Sequence, residues 1–406
     1  MRKLLVLLCF MLVPMQAWAA GYAVYEWSAR GNALGGAMVA RDGDPSSIAY
    51  NPANITDLPG AQVQVGATAI APTAKMTARD ASTTGTEFSD SVWGLPTFYY
   101  TQQLSDNYWF GIGMFSRVGL GTEYKNSDAW GGRYNNTHAG IQSVTINPNI
   151  AMKFSDQFSM AFGLDATYLR FMYGSVFSNN VEQDIDADGW GIGFNLGARY
   201  KPCDWLAFGV SYRNEIPLTV NGKVDYEAKV PAAAGAANLL NQSNGINGTE
   251  PVPGSATFGV MVKPMDKLSL EFDAVWTKWD SYKTLTMNYE NVLGSKSATK
   301  NWDNSWRYQF GAEYALTDAV DLRLGYVYDK TPVNDMYADY AVPCSNRQIV
   351  TTGFGWKIDE AWVLDAFYGY LWMTDREYSA SATGTVNVTR EDAHAHMGGL
   401  SLTYKF

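Results

Sequence analysis

The chain has 406 residues, 14% aromatic and only 17% charged side chains, 38 glycines and a formal net charge of −10. That acidic balance excludes a broad nucleic-acid-binding surface. Three cysteines without a cluster suggest neither a disulfide scaffold nor a zinc site, and no cofactor is indicated.

At the N-terminus, Arg2 and Lys3 precede an apolar run from Leu4 to Val13, and Ala17-Trp18-Ala19 has the small-x-small form of a cleavage site. This predicts a secretory signal peptide over residues 1–19, with Ala20 as the first mature residue. No later segment has the ~18 uninterrupted apolar residues of a membrane helix. An exported chain of this kind is soluble, secreted or a barrel. Abundant aromatics and glycines with few charges favour the barrel. The mean hydropathy of −0.19 agrees, because a barrel places apolar residues at every second position.

Residues 20–58 do not alternate. Ser28-Ala29-Arg30-Gly31-Asn32-Ala33-Leu34-Gly35-Gly36-Ala37 carries small residues every three or four positions, and Asn51-Pro52 marks a break. Short, closely packed helical turns are predicted, forming a plug inside a lumen. Ala20, Gly21, Tyr22, Asn51, Pro52 and Ala53 are its candidate contact residues.

Residues 59–406 repeat as hairpins. Short turns centred on Asp106, Asp156, Asp204, Asp266, Asp318 and Asp359 recur, and Asp, Asn, Ser and Pro favour tight turns. Between them lie longer polar stretches at 178–188, 226–253, 290–301 and 331–347. Short turns on one side and long loops on the other is the asymmetry of outer-membrane barrels, with the short turns periplasmic. The turns, a first strand near 61–77 and a last near 393–406 imply an all-β, antiparallel transmembrane barrel of about fourteen strands. Phe158 to Leu169 and Leu268 to Thr277 alternate strictly. So does the closing run Leu400, Leu402, Tyr404 and Phe406, whose aromatic end is expected to engage the barrel-assembly machinery. The outward face would meet lipid and lipopolysaccharide.

The inward face changes with height. Near the short turns it is charged: Asp165, Arg199, Glu271, Asp273, Arg307, Glu313, Asp321, Arg323 and Asp365. An ion-pair network anchoring the plug is the reading favoured here. Higher up it becomes apolar, with Leu169, Phe171, Val275, Trp279, Val327, Phe367 and Leu371. A water-filled porin would stay polar, so these residues are expected either to line a pocket for an apolar ligand or to pack against an inserted plug or loop. Arg117 and Arg307 are the candidate partners for a ligand carboxylate.

The chain resembles the FadL family of outer-membrane transporters for long-chain fatty acids and other hydrophobic compounds. The resemblance rests on the Gly/Ala-rich segment followed by Tyr50-Asn51-Pro52-Ala53, on Val118-Gly119-Leu120-Gly121-Thr122-Glu123-Tyr124, and on Trp130-Gly131-Gly132-Arg133-Tyr134. Asn147-Pro148-Asn149-Ile150-Ala151 and the closing Tyr404-Lys405-Phe406 extend it over the mature chain. It implies a fourteen-stranded barrel with an N-terminal hatch and passive transport without ATP. It also implies capture on an apolar groove of the outer loops, a lumenal pocket contacted by the mature N-terminus, and lateral exit through a kinked third strand. The third strand is expected near 107–121, with Gly119 and Gly121 at the kink; where the family has a proline, this chain reads Arg117-Val118. The apolar patch Pro231 to Leu240, with Ala236, Leu239 and Leu240, is the candidate groove. Uptake of aromatic hydrocarbons, or of polar solutes by a general porin, are the alternatives. An outer-membrane lipase is disfavoured: His394 and His396 fall on the lipid face at the outer rim. A monomer is expected, and opposite barrel ends make a Cys203–Cys344 bridge improbable.

Overall fold

The structure is a computed structural model that describes residues 20–177, 180–379 and 384–406. The predicted signal peptide therefore lies outside the described residues.

Fourteen antiparallel strands close into a barrel. They are β1 (Ala61–Ala78), β2 (Trp93–Gln103), β3 (Tyr108–Phe115, resuming at Leu120–Glu123), β4 (His138–Lys153) and β5 (Phe158–Val176). Next come β6 (Val181–Cys203), β7 (Leu206–Arg213, resuming at Ile216–Ala228), β8 (Gly245–Val252, resuming at Ser255–Met265) and β9 (Leu268–Thr277). The wall ends with β10 (Ser305–Ala315), β11 (Val320–Asp329), β12 (Arg347–Lys357), β13 (Trp362–Met373) and β14 (Val388–Lys405). Every strand pairs with its sequence neighbour, and β14 returns to β1 from Gln62↔Lys405 to Ala78↔Val388. Closure removes the unpaired edge that lipid cannot satisfy.

All six predicted Asp turns fall between paired strands. Three predicted loops are cut back by strand: 226–253 holds the paired run Gly245–Val252, 290–301 holds the short strand Ser295–Thr299, and 178–188 is strand from Val181 onward, because β5 and β6 stay paired up to Val176↔Glu182. The alternation there continues above the lipid-facing band, with Asp184, Asp186 and Asp188 in place of apolar residues. That outward band is strongly apolar: Ile192 is 77% exposed and Leu400 59%. Trp190 and Tyr368 are exposed aromatic residues of the same surface.

The N-terminal residues fold as short turns: α1 (Ala29–Ala33), α2 (Ser47–Tyr50) and a 3-10 turn, Pro52–Asp57. Ser28 caps α1, its hydroxyl accepting from the Gly31 amide at 3.0 Å. Leu34, Met38, Ile48, Ala53 and Ile55 are completely buried although their segment is short. Their burial comes from packing on inward-facing wall residues such as Tyr99, Trp109 and Phe115. In the outer loops, α3 (Ala234–Leu240) occupies the predicted apolar patch.

Candidate ligand site in the barrel lumen

Two layers of inward-facing chemistry meet the N-terminal segment. In the lower layer, the backbone amides of Met38 and Val39 donate to Asp273 at 3.0 and 3.2 Å, and that of Ala40 donates to Glu271 at 2.7 Å. Arg41 donates to the other Glu271 oxygen at 2.9 Å. Arg30 bridges Glu313 (3.1 Å) and Asp44 (3.3 Å), while Arg323 joins Glu313 to Asp365, each at 2.6 Å. Arg199 pairs with Asp42 and Asp57. Wall charges thus bind segment charges and amides, which satisfies groups that would otherwise be costly to bury. Beneath this network lies a cavity of about 540 Å³ lined by Lys263, Lys267, Lys357 and Lys405 among other charged residues.

Asn51 explains the Asn-Pro signature. Its side-chain amide donates to Val39 O at 2.8 Å and Ala198 O at 3.0 Å, and its oxygen accepts from the Ala53 amide. Pro52 opens the 3-10 turn, and Ala53 O accepts from Ser159 on β5 at 3.1 Å.

The upper layer is apolar. Leu169, Phe171, Val327, Phe367 and Leu371 are buried in one hydrophobic cluster with Ala20 and Tyr22, and Val275 is buried outside it. Trp279 belongs to it by a different route from the one expected. β9 stops at Thr277, and Trp279 starts a 3-10 turn, Trp279–Ser281, whose ring meets Tyr22 edge-on at 4.7 Å. Gly21 adopts φ +63°, and a Cβ there would lie 2.6 Å from the Trp279 ring, so only glycine allows this approach. The room left is small. The space lined by Tyr25, Glu26, Arg307, Val327, Ile349, Phe367 and Met397 is about 10 Å³, enough for one water-sized body.

The two arginine candidates separate. Arg117 is fully committed: it donates to Asp165 at 3.0 Å, to Asn214 O at 3.1 Å and to Pro253 O at 2.9 Å. In this structure Arg117 acts as a tie between strands. Arg307 differs. It shares the single carboxylate of Asp329 (3.1 Å) with Arg347 (2.5 Å), and stacks over Tyr25 at 4.8 Å. Arg307 Nε and Arg347 Nη1 are buried and find no hydrogen-bond partner among the described residues. Arg347 is the residue that sequence reading missed; its place at the first position of β12, directly across from Asp329, is the signal that could have found it.

The third strand is interrupted from Ser116 to Gly119. There it leaves β2, whose pairing to β3 stops at Phe98↔Met114, and turns to the N-terminal segment. Ala23 bridges Val118, the Val24 amide donates to Arg117 O at 2.9 Å, and the Gly119 amide donates to Tyr22 O at 2.8 Å. Gly121 has already rejoined the wall opposite Gly140.

In α3, Leu239 is 48% exposed, Leu240 is buried and Ala236 is half-buried against the apolar cluster. His394 and His396 lie on the outer face beside Tyr370, as expected, and His396 is within 2.7 Å of the Tyr368 hydroxyl. Both remaining cysteines are free.

Residues 10–406 match the model of a family described as outer membrane protein transport protein (OMPP1/FadL/TodX). The chain belongs to the FadL/TodX family. Its members are transport channels for hydrophobic compounds in the outer membrane rather than enzymes. The chain is 27% identical to an outer membrane protein of Neisseria meningitidis serogroup B, covering 100% of this chain and 99% of that one. It is 20% identical to a long-chain fatty acid transport protein of Escherichia coli O6:H1, over 97% and 96% of the two chains. Among solved structures, a Pseudomonas aeruginosa FadL homologue superposes with a TM-score of 0.85 at 19% identity, over 95% and 100% of the chains. The Ralstonia pickettii toluene transporter TbuX gives 0.72 at 16% identity, over 94% and 98%.

Proposed function

We propose that this FadL/TodX-family barrel carries long-chain fatty acids, and that its lumenal pocket reads the carboxylate with Arg307 and Arg347. The observation that carries this reading is one carboxylate, Asp329, shared by two buried guanidiniums with two unused N–H groups. Val327, Ile349, Phe367 and Met397 beside them offer apolar surface to an acyl chain, where burial stabilises by about 25 cal/mol per Å². An aromatic hydrocarbon would leave those N–H groups unpaired.

The Ala20–Tyr25 stretch fills the space a ligand needs, so residues 20–58 act as a hatch whose first residues are displaced on binding. Leu239 and the rest of α3 offer an apolar landing surface outside. The ion-paired floor is hostile to an apolar chain. The exit of lower cost is sideways at Ser116–Gly119, where no β2–β3 ladder has to be broken.

Uptake of radiolabelled oleate into cells lacking their own transporter, with calorimetry on the purified barrel, tests this. Arg347→Met should weaken oleate binding about tenfold or more, since hydrogen bonds to charged groups are worth about 1.5–3 kcal/mol, and leave toluene binding unchanged. Equal effects on both ligands would reject the carboxylate reading in favour of aromatic hydrocarbons.

A further inference from the structure

Glu250 on β8 is fully buried, and neither of its carboxylate oxygens has a hydrogen-bond partner among the described residues. It lies beside Tyr22 and Tyr282. Lys300, the nearest cation, is bound to Asp339. The Tyr22 hydroxyl donates to Pro251 O at 2.9 Å. Around the Tyr22 ring stand Trp279 at 4.7 Å, Tyr282 at 5.5 Å and Trp302 at 5.6 Å. The three also brace one another, Trp302 lying 5.1 Å from Trp279 and 4.8 Å from Tyr282.

A carboxylate withdrawn from water without donors costs several kcal/mol. Aromatic faces carry negative potential, so rings gathered closely around one position with a carboxyl beside it offer a place for a cation, above all a weakly hydrated alkylammonium. Tyr22 fills the aromatic half of this box with an uncharged ring beside Glu250, its hydroxyl donating to Pro251 O, where an ammonium would favour the carboxylate form. We propose that Glu250, Trp279, Tyr282 and Trp302 form a binding box for the ammonium head of an amine amphiphile, with Tyr22 as its resident stopper. The site is distinct from the Arg307–Arg347 pair, which has the opposite charge. Apolar neighbours in the same buried cluster, among them Val252 and Met287, are positioned to take a short alkyl tail. The barrel would then accept cationic as well as anionic amphiphiles, each at its own set of residues.

Hexyltrimethylammonium and hexanoate, titrated against the purified barrel in a non-ionic detergent with tryptophan fluorescence as readout, test the assignment. Hexyltrimethylammonium should bind saturably, Glu250→Gln should weaken it at least tenfold, and Tyr22→Ala should tighten it by removing the competitor. Glu250→Gln should leave oleate binding unchanged, which separates this site from the fatty-acid pocket. It should also leave the heat-induced mobility shift of the folded barrel at the same temperature or higher, because the carboxyl it replaces has no hydrogen-bond partner to lose. Unchanged hexyltrimethylammonium affinity in Glu250→Gln would overturn the proposal. If that variant does not fold, absence of saturable binding to Tyr22→Ala would overturn it equally.

Discussion

At the scale of single residues, Asp165 and Asp42 hold the segment to the wall in different ways. Asp165 on β5 is inaccessible and accepts from Arg117 at 3.0 Å and from Arg213 at 2.7 Å. Arg213 also donates to Ile48 O at 2.8 Å and Ala49 O at 3.0 Å, and Arg117 to the breaks of β7 and β8 at Asn214 and Pro253. One carboxylate therefore ties the third-strand break to the hatch. Asp165→Asn leaves two buried cations uncompensated, a loss of about 3–5 kcal/mol, and should lower the temperature of the heat-induced mobility shift; an unchanged temperature would refute the tie. Asp42 sits at the wet edge of the segment. Burial opposes its charge, but hydrogen bonding and charge from Lys263, then Arg199 and Lys201, prevail and hold its carboxyl well below the usual range. A carboxyl depressed in the folded state contributes stability that is complete above its unfolded value near 4 and is lost as pH falls through the folded value. The stability gap between the native chain and Asp42→Asn should be full at neutral pH and shrink as pH drops below about 4. A gap independent of pH would contradict it. The inward direction of Asp165 and Arg117 was legible from alternation alone. That Arg117 is consumed by three partners was not, because two of them are carbonyls exposed only where other strands break.

At the scale of elements, the N-terminal segment proposed as the hatch depends on close approach to bare backbone. Gly209 on β7 faces Val39, and a Cβ at Gly209 would lie 2.1 Å from Val39 O and 2.5 Å from its carbonyl carbon. Both atoms are backbone of the segment, so the overlap cannot be relieved by a rotamer. Gly209→Ala should displace the segment near Val39, where Asn51 and Asn54 also bond to the same carbonyl, at 2.8 and 3.2 Å. The expected result is a barrel that still folds but admits small sugars into proteoliposomes, read as swelling; a tight barrel would show that the segment tolerates the shift. Strand existence and turn positions were readable because lipid on one side enforces a two-residue period. Strand ends above the membrane were not, since there polar residues continue the ladder, as in β6 from Val181 to Asp188. The third-strand interruption was anticipated at Gly119 and Gly121, yet its cause lies in partners distant in sequence. The Ser143 hydroxyl holds Val118 within the break, accepting from the Val118 amide at 3.3 Å and donating to Val118 O at 2.5 Å.

At the scale of the whole molecule, the lumen is stratified and the layers exclude different solutes. The upper layer is apolar and nearly full, leaving about 10 Å³ beside Arg307. The lower layer opens into a charged cavity of about 540 Å³, but its ceiling is the ion-paired hatch. A polar solute entering from outside meets apolar side chains it cannot wet, and an apolar one moving down meets fixed charges it cannot solvate. Neither crosses along the axis, which leaves no route for sugars and agrees with the sideways exit proposed above for apolar ligands. Proteoliposomes containing the intact barrel should therefore not swell in glucose or arabinose, whereas a barrel lacking residues 20–58 should swell rapidly in both. Rapid swelling by the intact barrel would reinstate the general porin. A barrel that lacks the segment and still stays closed would place the barrier in the wall side chains and the outer loops instead of the hatch.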